Sequence, residues 1–93
     1  MTELEQQRQR INQLDDQIIS LLEERLQVAT DIANYKARQH QPVYDERREA
    51  TVYQHLHEVV RHAQLLPYLT TIYSTIMQTT RNLEQHQQEE NHA

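Results

Sequence analysis

The chain has 93 residues with no Gly, Cys, Trp or Phe and only two Pro. Without glycine there is no P-loop, Gly-rich dinucleotide turn or Asn-Gly hairpin; without cysteine there is no disulfide framework, thiolate nucleophile or Cys-based zinc site. A formal net charge of -5, from nine basic and fourteen acidic residues, argues against a dedicated nucleic-acid binder, because neutralising phosphates needs a surplus of Lys and Arg.

From the amino terminus, apolar residues recur at Leu4, Ile11, Leu14, Ile18, Leu21, Val28, Ile32 and Tyr35, in sevens or alternating threes and fours. This period of about 3.5 predicts one helix from about Glu3 to about Gln39. Such a helix is about 55 Å long at 1.5 Å per residue, more than two short successors can cover. Its stripe is therefore expected to pair with the same helix of a second chain. Pro42 ends the helix, since it lacks a donor and biases Gln41 away from the helical region. Asp45 is then an N-cap, with Glu46 in the first turn where the helix dipole favours a carboxylate. The second helix carries Val52, Leu56, Val59 and Ala63 and is expected to close near Gln64. Pro67 suits the first turn of a third helix, with a stripe through Leu69, Ile72, Tyr73, Ile76, Met77, Thr80 and Leu83. Beyond Gln85 nothing apolar anchors the chain, so residues 1–85 form the domain and 86–93 a polar tail expected to be disordered. No strand pattern appears, and the expected class is all-α, three helices per chain in an intertwined homodimer. No apolar run approaches the roughly twenty residues that span a bilayer, and no basic and apolar leader opens the chain. The expected location is the cytoplasm.

Several polar residues fall on or near these stripes. The three-four alternation from Leu21 lands on Arg25, and a charged side chain on a seam is costly unless paired. Lys36, the only lysine, lies eleven residues on, within roughly 20° of the same face and roughly 16 Å along the axis. The two cations can converge on a small anion. Arg8 is roughly 25 Å from Arg25 along the helix. It reads either as a solvated surface arginine or, in an antiparallel helix pair, as a residue completing the site from the other subunit. Arg48 and Glu49 follow the Asp45 cap, and Thr80 and Glu84 stand at i, i+4 on the third helix. Glu84 by itself also fits an exposed glutamate near a fraying end. The six histidines, His40, His55, His57, His62, His86 and His92, show no metal spacing, and no Ser or Cys lies in a nucleophile context.

The ordered set Arg8-x-x-Ile11-x-x-Leu14-Asp15, Leu21-Leu22-x-Glu24-Arg25, Lys36, Pro42-Val43-x-Asp45, Arg48-Glu49 and Thr80-x-x-x-Glu84 resembles the all-helical chorismate mutases. The resemblance covers about Leu4 to Gln85, and the length leaves no room for a fused second enzyme domain, as in the stand-alone type. It implies an intertwined dimer whose two sites each borrow an arginine from the partner. It implies conversion of chorismate to prephenate without a cofactor, in aromatic amino acid biosynthesis. On this resemblance Arg25 and the partner's Arg8 bind the substrate carboxylates, Lys36 binds the ether oxygen and a carboxylate, and Arg48 supports the anionic end. Glu49 and the Asp45 backbone hold the ring hydroxyl. Thr80 occupies a position often filled by Ser, near a carboxylate; Glu84 stands where many bacterial members have Gln and some others Glu. Arg25, Lys36 and Glu84 would carry the catalysis.

Alternatives on the same scaffold are an isochorismate-pyruvate lyase and a mutase for 4-amino-4-deoxychorismate. Glu49 favours chorismate, though an amino group would also satisfy a carboxylate. A rival of another class is a non-catalytic helical dimerisation module with seam charges that set only register.

Overall fold

A computed structural model describes residues 1–91 as α1 (Glu3–Arg38), α2 (Glu46–Val59), a 3₁₀ turn (Ala63–Leu65) and α3 (Leu66–Asn91), with no strand among the described residues. The Thr2 hydroxyl caps α1 by accepting from the Glu5 amide, with Glu3 and Glu5 in the first turn and Lys36 and Arg38 in the last. The helix closes ahead of Pro42. His40 takes a left-handed φ of 55° and the Gln41 amide reaches back to the Lys36 carbonyl at 2.8 Å, the 6→1 bond of a Schellman turn.

Asp45 caps α2 as expected, its carboxylate accepting from the Arg48 amide at 3.0 Å. The helix stops at Val59, not near Gln64: Val60 is extended at φ -69°, ψ 124°. With no glycine to make a left-handed exit, the chain leaves the helix extended and turns through the 3₁₀ segment. Pro67 lies in the first turn of α3, where a missing donor leaves no bond unmade. Residues 86–91, expected to be disordered, continue α3 to Asn91. Polar side chains supply the anchor that apolar ones do not: Gln87 Nε2 and Asn91 Nδ2 both donate to Asn34 Oδ1, at 3.0 and 2.9 Å, and Gln88 Nε2 to the Gln41 carbonyl. The remainder of that tail, 92–93, including His92, lies outside the described residues.

The carboxy-terminal half of α1 packs along α3, and α2 packs beside α3. The apolar core is Ala29, Ala33, Val43, Leu56 and Met77. The alanines, four apart on α1, let α3 approach closely, and Arg25 and Lys36 extend their row at both ends. Residues 1–21 are all exposed. The Cα radius of gyration is 16.8 Å, against about 12 Å for a compact chain of this length. No helix among the described residues is long and apolar enough to cross a membrane.

Candidate active site

A cleft of about 450 Å³ lies between the carboxy-terminal half of α1, the segment after it, the first turns of α2 and the middle of α3. Arg25 and Lys36 enter it from α1, Asp45, Arg48 and Glu49 from the start of α2, and Thr80 and Glu84 from α3, over apolar walls that include Ala29, Ile32, Val43, Val52 and Met77. Every site residue expected from sequence lines this one cleft except Arg8, which is exposed on the free half of α1.

Helical spacing makes the convergence possible and tertiary bonds aim the groups. Arg25 Nη1 donates to Thr80 Oγ1 at 2.7 Å, while the Thr80 hydroxyl donates to the Ile76 carbonyl at 2.7 Å. The hydroxyl therefore presents a lone pair to the guanidinium and stops it swinging into solvent. Lys36 Nζ donates to the Val43 carbonyl at 2.9 Å and stands 3.7 Å from Glu84 Oε2. The turn made by His40 is what returns Val43 to Lys36.

Glu84 is only 6% exposed. Burial pushes its carboxyl above the usual carboxylate range, with Glu49 adding in the same sense, against the opposing pull of Lys36 and Arg25. In the folded chain burial prevails over the pull of Lys36. Asp45 is engaged as the helix cap. Arg48 lines this cleft and a neighbouring one of about 620 Å³ against α2 and Tyr73, and has no ion-pair partner among the described residues.

Arg81 is a cleft residue that sequence reasoning missed. Its guanidinium pairs with Glu49 Oε1, donates to Gln78 Oε1 at 2.6 Å and lies 5.4 Å from the centre of the Tyr44 ring. Hydrogen bonding to Glu49 raises its pKa further. The available signal was spacing, since Arg81 follows Met77 by four residues and precedes Glu84 by three on one helix face.

Four cations and four carboxylates thus line the cleft, counting Glu24. Arg81 is paired with Glu49, and burial raises the pKa of Glu84, so two of the four carboxylates are weakened as negative charges. Arg25, Lys36 and Arg48 remain as a cationic set suited to a small molecule with two negative charges. Among the described residues no three His, Asp or Glu side chains cluster as metal ligands. The family model for chorismate mutase type II matches residues 7–85, a span containing every residue of the cleft. No curated protein matches the chain.

Proposed function

The chain belongs to the chorismate mutase type II family, and from that premise we propose that it rearranges chorismate to prephenate in aromatic amino acid biosynthesis, as an intertwined homodimer with shared sites and no cofactor. The observation that carries the reading is the cleft itself: Arg25 and Lys36 are held in place from one helix face, and a buried Glu84 lies beside Lys36. The exposed half of α1, with Arg8 on it, supports the dimer.

The reaction needs cations and hydrogen-bond donors. Chorismate must fold so that its enolpyruvyl carbon approaches the ring, and clamping both carboxylates selects that conformer. Arg25 and the partner's Arg8 hold the carboxylates, with Thr80 fixing Arg25 and Arg48 supporting the anionic end. The ether C–O bond breaks ahead of C–C bond formation, so negative charge grows on the ether oxygen. Lys36 donates to that oxygen, and Glu84 in its protonated form, which burial favours, donates from the other side. Both bonds strengthen in the transition state, which is what raises the rate. Glu49 and the Asp45 backbone hold the ring hydroxyl. No nucleophile or base is required.

The test is loss of chorismate absorbance on mixing, with the product identified. Prephenate is expected. Salicylate formed from isochorismate would point to the lyase, and no product from chorismate, isochorismate or the 4-amino analogue would leave the dimerisation module.

A further inference from the structure

Arg81 is not needed to explain the clamp or the donors at the ether oxygen, yet it lines the same cleft and makes three polar or cation–π contacts there. Two of these partners come from other parts of the chain, Glu49 from α2 and Tyr44 from the segment before it. Glu49 Oε1 is committed to Arg81, and among the described residues Glu49 Oε2 has no other side-chain or backbone donor. That second oxygen is the acceptor available to a substituent on the substrate ring.

The charge state of this acceptor decides what it selects. A bare Glu49 carboxylate would attract an ammonium more strongly than a hydroxyl, because the opposite full charges attract in addition to the hydrogen bond. The Glu49–Arg81 pair is different. Its net charge is zero, and an incoming ammonium meets a guanidinium already seated on the same carboxylate. A hydroxyl still finds a lone pair and brings no charge to be repelled.

We propose that Arg81 is a positioning residue that sets Glu49 to accept from a neutral ring hydroxyl and to discriminate against a protonated amine at the same ring position. The inference rests on the chorismate reading above and narrows it, since the carboxylate alone leaves the 4-amino analogue open.

The test compares kcat/KM for chorismate and for 4-amino-4-deoxychorismate in the wild-type chain, Arg81→Met and Arg81→Lys, with Tm recorded for each. The wild type should favour the hydroxyl substrate by about tenfold or more, and Arg81→Met should shift that ratio by about tenfold toward the amine. Arg81→Lys retains the charge and should keep the ratio nearer to the wild-type value. A purely structural strut would lower both substrates alike, so an unchanged ratio in a folded Arg81→Met overturns the proposal. Should that variant fail to fold, the wild-type ratio decides: equal or amine-favouring turnover rejects the role of Arg81. If the wild type converts neither substrate, the catalytic reading falls, and the ratio of the two dissociation constants still decides the role of Arg81.

Discussion

The two halves of α1 have the same helical geometry but different surroundings. Residues 3 to 20 are all exposed, while residues 21 to 38 include the buried Ala29 and Ala33 and carry Arg25 and Lys36 into the cleft. The buried row of the second half is Ala29 and Ala33, whereas the whole apolar stripe from Leu4 to Tyr35 is exposed in both halves. The face that holds the chain together is therefore offset from the face with the strong apolar period. The exposed stripe with its period of about 3.5 is the surface that the proposed dimer would cover with another helix. Arg25 follows the buried row and faces α3, which is why Thr80 can receive it.

The largest effect expected from breaking this distinction is at Ile18, exposed on the free half. In a monomer Ile18→Glu would be nearly neutral, as surface changes are. On a dimer seam it buries unpaired carboxylates and should dissociate the protein, with activity lost. Sedimentation checks this, since the species should fall to the 11.2 kDa of one chain. An unaltered mass and activity would refute the seam.

On the packed half, Lys36→Ala should lower kcat/KM by on the order of 10²–10³-fold, the effect of removing one transition-state donor. The fold should persist, and an unchanged kcat/KM would end the enzymatic reading. Arg8→Ala and Arg25→Ala chains sharpen the comparison further, because each alone should be nearly inactive. Mixed at equal amounts with random pairing, they should regain about a quarter of the wild-type sites, one in each heterodimer. Heterodimers as inactive as either parent would reject the shared geometry.

A smaller effect is expected at Glu84. Its raised pKa means that kcat/KM should fall as pH rises through that value and the donor proton is lost. Glu84→Gln donates without titrating, so it should flatten this limb and preserve or raise activity near neutral pH. Stability carries the same sign. The folded chain binds this proton more tightly than the unfolded one, so stability falls as pH rises from the ordinary carboxylate value to the raised one. The Tm advantage of Glu84→Gln should widen across that window, and superimposable activity profiles would reject the donor role. The smallest effect is expected from Asn34→Ala, which removes the acceptor for Gln87 and Asn91. It should cost about 1 kcal/mol, read as faster hydrogen exchange confined to the last turns of α3.

Much of this arrangement was legible in the sequence because it depends on local periodicity. The length of α1, the Asp45 cap and the common face of Arg25 and Lys36 follow from spacing alone. What was not legible depends on distant partners. Arg81 acquires its place from Glu49 and Tyr44 on other segments, and the last turns of α3 are held by Asn34, more than fifty residues away. The direction of the Glu84 shift required knowing how deeply its carboxyl is covered. The early end of α2 at Val59 has no Gly or Pro to mark it.

The left-handed turn at His40 bears on the unfolded chain as well as the folded one. A chain without glycine has fewer backbone conformations to surrender on folding, which suits a protein whose own core, among the described residues, is five apolar side chains. The restriction has a local cost, since the turn that returns Val43 to Lys36 is made by a residue with a Cβ, at a strain of about 1 kcal/mol. Glycine at position 40 would relieve that strain and return the lost freedom to the denatured ensemble. The two effects oppose each other, so the tether of Lys36 is stiffened by the same side chain that strains it.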